Sequence, residues 1–405
     1  MRICVLTHTF PRNESDTAAA FMKEFSDGLV QAGADVTVVA PFDPQFKRKD
    51  DPFKIVTYKY VWPNNLHVLG YSRTMERDVA LRKRAYLLLP FLVLFGSLAL
   101  FKTVKKEKIG LINVHWILPN GLMALIVSRV TGIPYVITLP GTDAYLAFRY
   151  KLFGWAAGLI ARNSAGIISN SSRHLNRILK LGVEGKRTAI CSYPVDVSVY
   201  KPLSKGIDNF RKKHGIDPDD FVLLAVGRLV YKKGFYYLIK AMPGLLRRFP
   251  RTKLVIGGDG ELRAELKKLT VKLGIADRVL FAGNIDRNDI VYYYNMADVM
   301  VSPSIVDKEG NVDGGPVASF ESMACGKPQV VTDILGVAEI IKNGVNGYKV
   351  PQKDYKAIEE ALVKLLESKS LRAKMGKANR RLVVDKLSTE KVGKYYLEFF
   401  KSVLF

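Results

Sequence analysis

The chain has 405 residues, 48% of them apolar, enough to bury two ordinary cores, so two domains are expected. Three scattered cysteines (Cys4, Cys191, Cys325), with no CxxC and no histidine at ligand spacing, argue against a disulfide framework or a zinc site and point to a reducing compartment. The net charge of +24 is spread over both halves, without a basic arm or an aromatic-and-basic module, which disfavours nucleic acid and favours an anionic membrane surface or anionic substrates.

The first residues, RICVLTHT, read as a strand over 3–7, with no charged-then-apolar leader and hence no expected secretion signal. A polar loop over 9–20 follows, then a helix over 21–32 closed by Gly33 and a strand over 35–40. Residues 85–101, AYLLLPFLVLFGSLALF, carry no charge; Arg82, Lys83 and Arg84 precede them, and Lys102, Lys105, Lys106 and Lys108 follow. Three readings of this segment stay open. A spanning helix needs about 20 apolar residues, and these are fewer and contain Pro90 and Gly96. The second is a buried helix of the first domain. The third, which the flanking cations favour, is a helix in the membrane interface, part of it on the core and part in lipid.

Strands follow over 111–115, 135–139 and 166–169, separated by helical patterns, as in a parallel α/β sheet. His115 ends one of these strands and is followed by Trp116; a histidine there is either a satisfied core residue or a ring presented to a ligand. The same grammar restarts after a seam near 200–210, with strands over 221–226, 253–256, 279–281, 299–301 and 329–332. Ligands of open α/β sheets bind at the carboxyl ends of strands. There GRLVYKKG begins, in which Gly227 allows a tight turn and Arg228 and Lys233 emerge as a pair suited to a diphosphate, or as part of a solvated basic loop. The turn GGDG at 257–260 lacks a P-loop lysine and reads as structural, with a base contact through Gly258 kept open. Further on, DGGPVASFESMACGKP over 313–328 sets Asp313 and Glu321 eight apart across a predicted helix start at Pro316. Amides at Gly314, Gly315 and Val317 would lie at its positive end. Such a site suits a ligand with many hydroxyls beside a phosphate; the alternative is an acid that merely complements the helix dipole. Residues 388–405 have the apolar spacing of a closing helix.

The paired acids, the small-residue run and the G-x-P after them resemble the E-x7-E motif of the family 4 (group 1) retaining glycosyltransferases. LPGTD at 139–143, GRLVYKKG at 227–234, GGDGELRAELKKL at 257–269 and ADVMVSPS at 297–304 match in order and spacing, over nearly the whole chain. The resemblance implies a GT-B architecture, two Rossmann-like domains facing across a cleft. It places an acceptor domain at 1–203, a nucleotide-sugar domain at 204–387, and the helix 388–405 back on the first domain. It implies that Arg228 and Lys233 hold the diphosphate, Glu321 the ribose hydroxyls, and Asp313 with the amides after it the sugar hydroxyls. The turn holding Gly258 would lie near the base, His115 near the donor sugar, and Thr17 and Asp143 on the acceptor side. Three departures stand out. Asp313 replaces the first glutamate, Pro140 replaces a histidine, and Thr17-Ala18 stand where the family often has Gly-Gly.

The function implied is retaining transfer of a hexose from a UDP- or GDP-sugar to a membrane-associated or glycan acceptor. It needs no cofactor and no metal, and proceeds by front-face departure and attack. The implied location is cytoplasmic, peripheral on the inner membrane face through 73–108. Two alternatives remain: a nucleotide-sugar 2-epimerase, and a degenerate homologue that binds donor without turnover.

Overall fold

The computed structural model describes the chain apart from residues 15, 17–18, 70–74, 78–79, 82–85, 142–144, 146–147, 184, 309, 314–316, 335 and 405. The chain divides into two compact units, Met1–Pro194 with Thr389–Phe405, and Val195–Ser388. The division falls nine residues before the expected seam at 203. Val195 bridges to Ser388, and Tyr200 is buried in the second unit's core, so the connecting stretch is claimed by that unit.

The first unit is built on strands β1 Arg2–Leu6, β2 Asp35–Pro41 and β3 Lys54–Tyr58, a small hairpin of β4 Met75–Arg77 and β5 Ala80–Leu81, and β6 Leu111–His115, β7 Tyr135–Leu139, β8 Gly166–Ser169 and β9 Arg187–Ile190. Seven of these form one parallel sheet in the order β3-β2-β1-β6-β7-β8-β9. Helices α1 Ala20–Gln31, α2 Leu89–Lys106, α3 Asn120–Thr131, α4 Lys151–Asn163 and α5 Ser172–Leu179 cover its faces. The strands are apolar on both sides because both faces are covered. Leu6, Val114 and Ile137 lie in the core that also holds Leu92, Leu100 and Met123 of α2 and α3. Ile3, Val5 and Val136 lie in the core that holds Phe25 and Phe400.

The second unit repeats the plan. It has helices α6 Ile207–Lys213, α7 Phe235–Arg248, α8 Arg263–Lys272, α9 Ile290–Met296, α10 Val317–Ala324, α11 Tyr355–Glu367 and α12 Lys369–Lys386. Its strands are β10 Phe221–Val226, β11 Thr252–Gly257, β12 Val279–Gly283, β13 Val299–Ser302, β14 Gln329–Thr332 and β15 Gly347–Val350. They form a parallel six-stranded sheet ordered β12-β11-β10-β13-β14-β15. The two sheets with interleaved helices are two Rossmann-like domains. The last helix, α13 Thr389–Leu404, belongs to the first unit and lies on α1. The approach is close because glycines face it: a Cβ on Gly393 would stand 1.9 Å from the carbonyl oxygen of Gly28.

The apolar segment of the first half is α2. Leu92, Gly96, Leu100 and Val104 face the core, while Phe91, Leu94, Phe95 and Leu98 stay 40–54% exposed. Among the described residues no helix is long and apolar enough to cross a membrane, so the spanning reading of 85–101 is dropped. One face of α2 is core, as a buried helix requires, and the other is an exposed apolar surface, as the partly core-packed reading requires.

Candidate functional site

At the carboxyl end of β10 the chain turns through Gly227 and Arg228 into a short 3-10 turn, Tyr231–Lys233. Gly234 follows at φ +68°, and a Cβ there would lie 1.9 Å from the oxygen of Pro303, so only glycine fits. The turn is tied to the next strand's loop by the amide of Ile305, which donates to Lys232 O over 2.8 Å. Its last residue, Lys233, runs back over Gly227. A Cβ on Gly227 would sit 3.0 Å from Lys233 Cε. The missing side chain therefore lets the lysine reach Asp313, with which it forms an ion pair, both side chains 16% exposed. Arg228 is exposed at the same strand end. The family resemblance named both Lys233 and Asp313, eighty residues apart, and the fold brings their side chains together.

The glycines of the neighbouring turn do a different job. A Cβ on Gly258 would stand 2.1 Å from the oxygen of Gly227. The Gly258 amide donates to Gly283 O over 2.6 Å, and the Gly227 amide to Gly257 O over 2.9 Å. These amides are used inside the fold. Gly227 and Gly258 thus serve close approach of two strand ends, and the amide of Gly258 is not available to a ligand.

Asp313 precedes α10, whose first residue, Val317, is half-buried. Gly314 and Gly315 lie outside the described residues, as do Thr17 and Asp143. Glu321, further along α10, is gripped by two tyrosines that no motif pointed to. The Tyr294 hydroxyl donates to Glu321 Oε2 over 2.5 Å, and the Tyr200 hydroxyl also bonds to the carboxylate. Burial raises the Glu321 pKa above the usual carboxylate range, against the opposing pull of both tyrosines and of Arg287. The YYYN run at 292–295 was the available signal, but in a short helix such a run ordinarily reads as core.

In the first unit His115 does not face open space. It is fully buried. Its Nε2–H donates to Asn113 Oδ1 and its Nδ1 accepts from the Tyr193 hydroxyl, both at 2.8 Å. Phe25 packs edge-on to the ring at 4.7 Å. Burial lowers its pKa to about 3, so the ring is neutral at physiological pH. The residue predicted to meet the donor sugar is, in this structure, a satisfied core histidine. The half-buried histidine of this strand edge is His8, at the end of β1, which the sequence reading passed over. It lies 4.3 Å from the Trp116 ring centre, accepts from Asn120 Nδ2 over 3.3 Å, and has its pKa lowered by burial to about 4. In the loop after β1, where the resembled family often has two glycines, Arg12 clamps Asp16, with Nε to Oδ2 at 2.6 Å.

A six-stranded parallel domain with a lysine–carboxylate pair and an exposed arginine at the carboxyl ends of its strands has the chemistry that suits an anionic, hydroxyl-bearing ligand. Comparison with known proteins agrees. Residues 206–382 match the model of the glycosyl transferases group 1, and residues 18–199 that of glycosyltransferase family 4. An uncharacterized glycosyltransferase of Methanocaldococcus jannaschii is 35% identical over 99% of this chain and 98% of its own. The chain belongs to the family 4, group 1 glycosyltransferases. The UDP-Gal:alpha-D-GlcNAc-diphosphoundecaprenol alpha-1,3-galactosyltransferase of Escherichia coli is 27% identical, over 71% of this chain and 74% of its own. Sucrose-phosphate synthase from Thermosynechococcus elongatus superposes with a TM-score of 0.79 at 19% identity, covering 100% of this chain and 99% of that one, and identifies the fold as GT-B.

Proposed function

We propose that the chain transfers a hexose, with retention of anomeric configuration, from a UDP- or GDP-sugar to a membrane-associated glycan or glycolipid acceptor. The observation that carries the donor side is the Lys233–Asp313 pair over the side-chain-free Gly227. In the absence of substrate each charge neutralises the other. A donor would exchange this pairing for two better ones. Lys233 and Arg228 take the diphosphate, and Asp313 accepts from sugar hydroxyls. Glu321, already oriented by Tyr294 and Tyr200, accepts from the ribose hydroxyls. As the glycosidic bond breaks, negative charge grows on the leaving diphosphate, and cations fixed there lower that barrier. The leaving oxygen then takes the acceptor's proton, so the scheme asks for no metal and no second nucleophile.

The acceptor side rests on the surface of α2. An apolar stripe of four half-exposed residues, followed by exposed Lys102, Lys105 and Lys106, suits a helix lying against an anionic bilayer, apolar face down. The Escherichia coli relative, whose acceptor is named as a diphosphoundecaprenol-linked sugar, supports this reading. On this reading the protein works at the inner face of the cell membrane. The test is nucleoside diphosphate release from a panel of UDP- and GDP-sugars, with and without an anionic lipid extract. Release from one donor that rises with lipid, and an axial product by NMR where the donor was axial, supports the reading. Release that lipid leaves unchanged overturns the membrane acceptor, and an inverted product overturns retention.

A further inference from the structure

The first unit holds a cavity of about 1050 Å³ that the sugar chemistry does not use. It runs between α2 and α3, closed on one side by Tyr150 and Phe153 at the start of α4. Its walls are Val93, Leu94 and Phe101 on α2 and Leu122, Ile126 and Val130 on α3. Among the described residues no charged side chain lines it, and its one aliphatic hydroxyl, Ser97 Oγ, is buried and makes no hydrogen bond. A sugar or a peptide backbone would lose its hydrogen bonds there; a hydrocarbon loses none. Neighbouring helices pack roughly 8–10 Å apart, which admits a methylene chain between their outer ridges more readily than a third helix about 10 Å across.

The ends of the groove say what the chain is attached to. Both α2 and α3 run from the carboxyl edge of the sheet to its amino edge, as helices joining parallel strands must. One end, at Leu118 and Pro119, therefore opens beside Asn120 and His8 on the carboxyl edge. Arg149 and Lys151, both exposed, flank Tyr150 at that end. The other end carries exposed Lys102, Lys105 and Lys106. An apolar trough with cations at its mouths complements a long chain bearing phosphate. We propose that this groove binds the hydrocarbon chain of a phosphate-bearing lipid, the acceptor's own lipid, and so aligns its head with the carboxyl edge of the first sheet. This rests on the membrane-acceptor reading and adds a residue-level site to it.

The test is calorimetric titration of the full chain with n-alkyl phosphates of increasing length, all below micelle formation, beside inorganic phosphate alone. Affinity should rise by roughly fourfold per added methylene until the groove is full, the usual gain for burying one. Ile126→Trp and Val93→Phe, which fill the trough from half-exposed positions, should flatten that rise. Arg149→Ala with Lys151→Ala should weaken every length equally and leave the slope intact. Affinity independent of length, or an unchanged slope in the filled variants, overturns the proposal. So does binding to anionic phospholipid vesicles without binding of any monomeric alkyl phosphate, which would make the face a membrane contact only. Lipid-stimulated diphosphate release that survives both filling variants would sink the groove and leave the transferase reading standing. Alkyl phosphate binding without any donor turnover would do the reverse.

Discussion

The two Rossmann-like units use their strand ends differently. In the second, the carboxyl ends of β10 and β11 are pressed together through Gly227 and Gly258, and a lysine and an aspartate from distant loops meet on top. In the first, the corresponding histidine is sunk into the core, with both ring nitrogens occupied, and a tryptophan and another histidine occupy the edge. The second unit's strand ends need glycine because two backbones meet there, whereas the first unit's accommodate large rings.

The largest expected effect lies on the donor side. Lys233→Ala and Arg228→Ala should each lower the transfer rate by about 10²–10³, the usual cost of removing one group that stabilises developing charge. Steady-state rates with saturating donor check this, and full activity in both variants would erase the contrast between the units. Next come the glycines. Gly234→Ala and Gly258→Ala should each cost about 3 kcal/mol, since a left-handed or otherwise strained φ adds to a backbone clash. Urea unfolding of each variant measures the loss. A cost near zero would mean that the turns relax and do not set the site.

Two smaller effects separate the units by pH. Glu321 has a raised pKa in the folded chain, so its favourable contribution is present at low pH and fades as pH rises above the normal glutamate value. Glu321→Gln should therefore leave neutral-pH stability unchanged or higher, yet weaken nucleoside diphosphate binding by roughly tenfold through the lost ribose contact. Thermal shift with and without nucleotide reads both quantities at once. His8 and His115 have lowered values, about 4 and about 3, so stability they confer near neutrality is lost as pH falls below about 6.5. The slope per uncoupled proton is about 1.4 kcal/mol per pH unit. Urea midpoints between pH 7 and 5 should fall for the wild type and fall less for His8→Gln.

Much of this was legible in the sequence, for reasons that differ by residue. The parallel sheets showed in apolar runs such as 221–226, because strands covered on both faces need no alternation. Lys233 and Asp313 were legible through the resemblance that GRLVYKKG and DGGPVASFE carry; the residues alone left Lys233 open as part of a solvated basic loop. The grip of Tyr294 and Tyr200 on Glu321 was not legible, since a tyrosine in a short helix and one in a connecting stretch both look like core, and here both are core as well. His115 misled because a strand-ending histidine looks the same whether its ring faces a ligand or, as here, Asn113 and Tyr193. The apolar stretch 85–101 was ambiguous for a physical reason. One face of its helix is core and the other is exposed, and both are apolar.

The most direct test of the account is titration of nucleoside diphosphate into the wild type and Lys233→Ala by calorimetry, with UDP and GDP. The account predicts binding of at least one nucleotide by the wild type and a loss of tenfold or more in the variant. Equal affinity in the two proteins would remove Lys233 from the diphosphate and contradict the assignment of the donor site.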